Sequence, residues 1–189
     1  MMKQKITVRQ IVFSAIAIAL AILIATVLKF KGPFWFNGGS ITLFSMLLIT
    51  LIGYWYGPAG GIIGALAYAL LQFITGPYVL SPLQVILDYP LAFGALGLSG
   101  FFWKQKNGMV KGYIAGVLGR LFFHCVSGVV FYTEYVGNFG KDAAAVWGSI
   151  LYNMSYIIPE AVLTLILISL PPVKKMLARV RQMAAGSAH

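Results

Sequence analysis

Six long apolar runs divide the chain, and polar, glycine or proline residues separate them. The runs cover about residues 8–30, 41–56, 59–75, 81–103, 110–135 and 143–170. A helix rises 1.5 Å per residue, so about 20 residues cross a hydrocarbon core of roughly 30 Å. Gly57-Pro58, Gly76-Pro77 and Pro171-Pro172 each end a run, because proline does not continue a helix. The pattern predicts an all-α bundle of six transmembrane helices.

The composition supports an integral membrane protein. Of the 189 residues 60% are hydrophobic and only 10% are charged, with a mean hydropathy of +0.87. A soluble domain carries about 25% charged residues. We expect a single membrane domain over residues 1–185, with 186–189 as a remnant of cloning, and no separate soluble catalytic domain.

The basic residues predict the orientation of the bundle. The net charge is +10, and lysines and arginines concentrate at 3–9, 104–111 and 174–181. Cytoplasmic loops carry an excess of such residues, so we expect both termini to be cytoplasmic. Lys29 and Lys31, at the outer end of the first run, are an exception on the outer side.

The sequence lacks the motifs that several kinds of chemistry require. Cys125 is the only cysteine, which excludes an internal disulfide and a cysteine-type zinc site. The chain has no Gly-x-x-x-x-Gly-Lys-Ser/Thr loop, no metal-ligand cluster and no nucleophile elbow. We therefore predict no enzymatic activity, no metal and no cofactor.

Four polar side chains inside the apolar runs define a candidate ligand pocket. Asp88 is one of four acidic residues, and a carboxylate at such a depth costs about 2.5–3.5 kcal/mol unless it faces a cavity or partner. From the rise of each helix, Asp88, His124 and Asn153 lie about 10, 16 and 15 Å from the outer ends. Gln84 lies one turn above Asp88 on the same face. His124 alone would more often be a hydrogen-bonded packing residue, and its depth match with Asp88 and Asn153 makes a ligand role about equally expected.

Aromatic residues are predicted above this polar floor. Tyr132 lies two turns above His124, and Trp147 lies over Asn153 with some rotation. A carboxylate surrounded by rings suits a small cationic or aromatic ligand that enters from outside.

A second pair of charged residues is predicted deeper in the bundle. Arg120 and Glu160 lie about 14 and 15 Å above the inner ends of their helices. We expect them to form a buried ion pair, which is more often structural than part of a transport path.

Small residues on the first helix leave two interpretations open. Ala15, Ala17, Ala19, Ala21 and Ala25 place alanines on more than one face. Such residues allow another helix to approach closely, either within the bundle or from a partner subunit.

Four stretches together resemble one protein family. They are Asn37-Gly38-Gly39-Ser40, Pro82 to Tyr89 (PLQVILDY), His124 to Tyr132 (HCVSGVVFY) and Ser149 to Asn153 (SILYN). In order and spacing they resemble the thiamine-specific substrate-binding (S) component of energy-coupling factor (ECF) transporters, over nearly the whole chain.

The resemblance implies a six-helix vitamin-binding subunit of the bacterial cell membrane. It implies thiamine as ligand, and a membrane coupling (T) subunit and two cytoplasmic ATPases as partners. The family's ligand residues fall on Asp88 with neighbouring Tyr89, on His124, Tyr132 and Asn153, and on Trp35 of the first loop. The family's docking surface for the coupling subunit resembles the pair Ala15 and Ala19.

Three positions depart from the family pattern. Asp88 is one methylene shorter than the glutamate of some members, and Tyr132 stands where tryptophan is common. Gly148 stands where members carry tyrosine, and adjacent Trp147 is a candidate substitute. The alternatives are an S component for another vitamin or precursor, a stand-alone secondary carrier, and a membrane enzyme that acts on a lipid.

Overall fold

The computed structural model describes residues 6–32, 39–131 and 143–186, with side chains from residue 146 onward in the last range. Trp35 and Tyr132 lie outside the described residues. The helices are α1 (Val8–Val27), α2 (Ser45–Thr75), α3 (Pro82–Phe102), α4 (Gly108–Val130), α5 (Ala143–Ser169) and α6 (Pro171–Ala185). Strands β1 (Lys29–Phe30) and β2 (Ile41–Thr42) pair in antiparallel fashion.

Helix α2 contains a reversal of the chain at Gly57. This residue has φ 79° and ψ −167°, a conformation that favours glycine, and Pro58 begins the returning segment. The two segments are close together, since a Cβ on Gly61 would lie 2.8 Å from the Cα of Gly53. In the described ranges five helices are long and apolar enough to span a membrane. The reversal divides one of them, so the predicted six-helix bundle is confirmed.

The first segment of α2 forms the centre of the bundle. Nearly every residue from 45 to 55 is buried, including Met46, Ile49 and Ile52. The outward faces of the surrounding helices carry exposed apolar side chains such as Leu70 and Phe122. This distribution is expected when lipid tails, and not water, contact the outer surface.

Helix α3 changes its winding where Asp88 lies. It is α-helical over Pro82–Ile86, π-helical over Leu87–Leu91, α-helical over Ala92–Gly94 and 3₁₀-helical over Ala95–Phe102. Pro90 lacks an N–H and its ring clashes with the carbonyl four residues earlier, so the turn widens. The N–H of Ala92 accordingly donates to the carbonyl of Leu87, five residues back. The predicted kink at Pro90 is thus a π turn.

Helix α6 lies across one end of the bundle, which we call the closed end. The sequence predicted only a basic tail here. In the structure a stripe of side chains packs against the core, formed by Val173, Leu177, Val180 and Ala184. Arg181 Nη2 donates to Trp103 O at 2.6 Å, and its guanidinium lies 4.1 Å from the Tyr54 ring centroid. These contacts cover the Gly57 reversal and the end of α3.

The other end differs from prediction at the first loop. Helix α1 stops at Val27, three residues before the expected end, and the chain then forms β1. Lys29 pairs with Thr42, and Phe30 pairs with Ile41. This short ladder brings β2 over the ends of the helices, where the cavity lies.

Candidate functional site

A cavity of about 320 Å³ opens at the end of the bundle opposite α6. The C-terminal parts of α1, α2 and α4, the N-terminal halves of α3 and α5, and strands β1 and β2 surround it. Five predicted ligand residues line it, namely Gln84, Asp88, Tyr89, His124 and Asn153. The structure therefore brings together side chains from three helices, as their predicted depths suggested.

Asp88 accepts hydrogen bonds on both carboxylate oxygens. Gln84 Nε2 donates to Oδ2 at 2.6 Å, and His124 Nδ1 lies 3.0 Å from Oδ1. The Gln84 amide is itself oriented, because its Oε1 accepts from Leu80 N at 3.1 Å and its backbone N–H donates to Ser81 Oγ. Pro82 directly follows the capping residue Ser81 and favours the start of α3 at this point. This helix start directs Gln84 toward Asp88.

The predicted ion pair between Arg120 and Glu160 is wrong. Arg120 lines the cavity, where its Nε donates to His124 Nε2 at 3.3 Å and its guanidinium lies 4.6 Å from the Phe93 ring centroid. Arg120 and His124 are four residues apart on α4, which places them on one face. The depth estimate gives the position of Arg120 along α4, but not the direction of its side chain about the helix axis.

Glu160 bonds to the strand that borders the cavity. Its Oε2 accepts from Thr42 N at 2.9 Å and from Thr42 Oγ1 at 3.3 Å. Thr42 lines the cavity, whereas Glu160 is 2% exposed and lies outside the lining. Glu160 therefore ties β2 to α5.

The Asn153 amide is engaged with neighbouring protein groups. Its Nδ2 donates to His124 O at 3.3 Å and to Ser149 O at 3.0 Å, and its Oδ1 accepts from the hydroxyl of Tyr156. These bonds connect α4 with α5 beside the cavity. Asn153 therefore holds α4 and α5 together at the cavity wall. A ligand that bonds to Asn153 would share the amide atoms with these protein partners.

Tyr89 ties down the loop between α2 and α3. Its hydroxyl accepts from Tyr78 N at 2.8 Å and donates to Gly76 O at 3.4 Å. Its ring packs edge-on against Phe73, with centroids 5.1 Å apart. The hydroxyl thus holds the loop, and the ring forms part of the cavity wall.

We expect Tyr89→Phe to loosen this loop while leaving the bundle folded. The variant loses two hydrogen bonds but keeps the ring contact, so the free energy of unfolding should fall by only about 1 kcal/mol. Hydrogen exchange at the Tyr78 amide should accelerate at least about tenfold. An unchanged rate at Tyr78, with amides in α2 as the internal reference, would show that the hydroxyl does not hold the loop.

The structure does not bring Trp147 into the cavity. Trp147 is 63% exposed, while its neighbour Gly148 lines the cavity wall. One residue on a helix corresponds to a rotation of about 100°, which turns Trp147 outward. The proposed substitution of Trp147 for the family's tyrosine at position 148 is therefore wrong.

Several cavity residues escaped the sequence prediction. Phe93, Ser127, Tyr152 and Tyr156 all line the cavity. Tyr152 accepts a hydrogen bond from Gly39 N at 3.0 Å and so connects α5 to the first loop. Helical spacing offered a signal, since Ser127 and Tyr156 each lie three residues after a predicted ligand residue. Tyr152, and not Trp147, supplies aromatic surface on the cavity wall beside Gly148.

Lys29 adds a positive charge at the mouth of the cavity. It lines the cavity from β1, and partial burial together with the nearby charge of Lys31 lowers the pKa of its ammonium group. A cation at the rim opposes the approach of a cationic ligand, so attraction must come from the carboxylate of Asp88 deeper inside.

Ala15 and Ala19 lie on the exposed face of α1. Ala17, Ala21 and Ala25, in contrast, are buried against the bundle. Alanines thus serve internal packing on one face, and the other face is accessible to lipid or a partner. Partner docking at Ala15 and Ala19 stays a prediction.

Fold and site together define a multi-pass membrane protein with a ligand cavity near one membrane face. In the described residues no group of three His, Cys, Asp or Glu side chains is placed to hold a metal ion. The cavity combines one carboxylate, one guanidinium, one ammonium group, one imidazole and several phenol rings, a combination that recognises small polar, ring-containing ligands.

The chain belongs to the thiamine transporter protein family (Thia_YuaJ), whose match covers residues 11–179. Thiamine transporter ThiT of Bacillus subtilis is 31% identical over 149 residues, which cover 71% of this chain and 75% of that protein. Thiamine transporter ThiT of Lacticaseibacillus paracasei is 33% identical over 128 residues, 60% of each chain.

Two solved structures share the fold. ThiT from Listeria monocytogenes superposes with a TM-score of 0.60 at 24% identity, covering 89% of this chain and 94% of that one. The S component of a bacterial ECF transporter gives 0.57 at 21% identity, covering 91% and 96%.

Proposed function

We propose that this protein is the thiamine-binding membrane subunit of an ECF-type vitamin importer in the bacterial plasma membrane. Family membership supports the transport of thiamine, and the six-helix fold matches that of an ECF S component. The single structural observation that carries the proposal is the cavity centred on Asp88, His124 and Asn153.

The cavity chemistry fits a cationic, two-ring ligand. Thiamine joins an aminopyrimidine to a positively charged thiazolium ring. Asp88 would accept a charge-assisted hydrogen bond from the aminopyrimidine. Tyr89 and Tyr152 offer phenol faces for stacking and cation–π attraction. We assign covering roles to Trp35 and Tyr132 from the family pattern.

Transport would need additional subunits. The chain has no nucleotide-binding loop, so we propose that a T subunit and two cytoplasmic ATPases drive release inward. The exposed face of α1 with Ala15 and Ala19 is the proposed docking surface for the T subunit. The protein itself would need no cofactor.

The alternative of a lipid-hydrolysing enzyme has less support. Ser127 lies three residues after His124, but the described residues show no hydrogen bond between the Ser127 hydroxyl and the imidazole. His124 instead bonds Asp88 and Arg120. The homologues are transporters, which also favours a non-enzymatic role.

Tryptophan fluorescence offers a direct test of thiamine binding. The four tryptophans are Trp35, Trp55, Trp103 and Trp147. Trp55 is buried in the core, Trp103 lies at the closed end, and Trp147 points outward. Saturable quenching by submicromolar thiamine, absent with riboflavin or biotin, is expected to arise from Trp35.

We therefore expect Trp147→Phe to keep the quenching amplitude within about a fifth, and Trp35→Phe to abolish it. Calorimetric titration of both variants gives the affinity independently of fluorescence. No heat and no quenching with folded wild-type protein would reject thiamine as the ligand. Loss of the signal in Trp147→Phe would instead place that residue at the ligand.

A further inference from the structure

A continuous line of hydrogen bonds crosses the cavity wall and ends at donors on both sides. On one side Leu80 N–H donates to Gln84, and Gln84 donates to Asp88. On the other side Arg120 donates to His124, which contacts Asp88. A backbone N–H and a guanidinium can only donate, so the direction of every bond in the line is fixed.

The fixed direction determines the tautomer of His124. Because Arg120 Nε–H points at Nε2, this nitrogen must be the acceptor, and the neutral ring carries its hydrogen on Nδ1. Nδ1–H then donates to Asp88 Oδ1 over 3.0 Å. The opposite tautomer would place two N–H groups against each other and leave two acceptors facing at Asp88.

We propose that Arg120 is a positioning residue, which holds His124 in the orientation that donates to Asp88 and so fixes the direction of the carboxylate in the cavity. Each carboxylate oxygen already receives one protein donor and keeps a lone pair that can accept from a ligand in the cavity. At Asp88 the wall would thus favour ligand groups that bring an N–H and disfavour a ligand carboxylate. This inference rests on the proposed function for its ligand, although the tautomer itself does not.

The surroundings of Arg120 support a dedicated role. Its side chain is 8% exposed, and its guanidinium stacks on Phe93, which also contacts the His124 ring edge-on with centroids 6.0 Å apart. Phe93 therefore restrains both members of the Arg120–His124 pair.

The test combines a ligand-free spectrum with a binding titration. Nitrogen-15 NMR of histidine-labelled protein distinguishes the two tautomers, and His189→Gln leaves His124 as the only signal. We expect protonated Nδ1 and unprotonated Nε2 in the wild type, a downfield shift of the Nε2 resonance in Arg120→Met because this nitrogen loses its donor, and the wild-type pattern again in Arg120→Lys. Lysine also donates without accepting and reaches four residues along a helix.

Thiamine affinity should follow the spectrum. Arg120→Met should weaken binding roughly tenfold, while Arg120→Lys stays within about threefold of wild type. Arg179→Met, the same change at an exposed position of α6, should leave both readouts unchanged. If Arg120→Met does not fold, the spectrum and affinity of Arg120→Lys decide the matter.

Two results would overturn the inference: a hydrogen on Nε2 in the wild type, or an Arg120→Met protein with an unchanged Nε2 resonance and unchanged affinity. Failure of the proposed function would look different. In that case the wild type would bind no thiamine, whereas the Nε2 resonance would still respond to substitution of Arg120.

Discussion

Asp88→Asn is expected to weaken thiamine binding by about 100-fold. The variant loses a charge-assisted hydrogen bond, worth about 1.5–3 kcal/mol, and tenfold in affinity corresponds to 1.4 kcal/mol. In addition, the new amide group would face Gln84 Nε2 or His124 Nδ1, and both of these are donors. One donor would therefore lose its acceptor.

Calorimetric titration measures this change directly. Glu160→Gln is the matched control, because it makes the same carboxylate-to-amide change outside the cavity lining and its amide oxygen can still accept from Thr42. We expect the control to bind within about threefold of wild type. Unchanged affinity in Asp88→Asn would remove Asp88 from the ligand site.

Gly100→Ala is expected to cause a large loss of stability. A Cβ at Gly100 would lie 2.4 Å from Gly57 O, 2.5 Å from Gly57 C and 2.7 Å from Pro58 Cα. All three atoms belong to the backbone at the reversal of α2, so no side chain can rotate away. We expect a cost of about 3 kcal/mol, the upper end of overpacking effects.

Thermal unfolding in detergent would show a fall in Tm of roughly 10 °C. Gly76→Ala adds the same methyl group where no atom lies within 4 Å, and serves as the control. Gly76 has φ −167°, which alanine also adopts, so its Tm should stay within about 2 °C of wild type. Equal Tm values for the two variants would mean that α3 can move away from α2.

The sequence was informative wherever one-dimensional spacing was sufficient. Apolar length placed the spans, and helix rise brought Asp88, His124 and Asn153 to one level. Gly57-Pro58 marked the reversal of α2. In each of these cases the relevant quantity was position along the helix axis, which residue number gives directly.

The errors came from rotation about the helix axis and from tertiary contacts. Arg120 was paired with Glu160 by depth, although its four-residue spacing from His124 indicated a shared face. Trp147 was placed over Asn153 by depth, but its direction excludes it from the cavity. Strands β1 and β2 contain two residues each, too few for any periodic pattern. The stripe of α6 was visible at helical spacing and was overlooked.

The π turn at Pro90 determines whether the chain tolerates the deletion of one residue at this point. A π turn stores one additional residue, so the helix beyond it is rotated by about 100° relative to an uninterrupted α-helix. Deleting one residue from Leu87–Leu91 would remove this offset. Gly97 and Gly100 would then turn away from α2, and bulkier neighbours such as Leu98 and Phe101 would turn toward it. A single-codon deletion, harmless in most loops, should therefore be lethal to folding here, while substitutions at exposed Leu91 are tolerated.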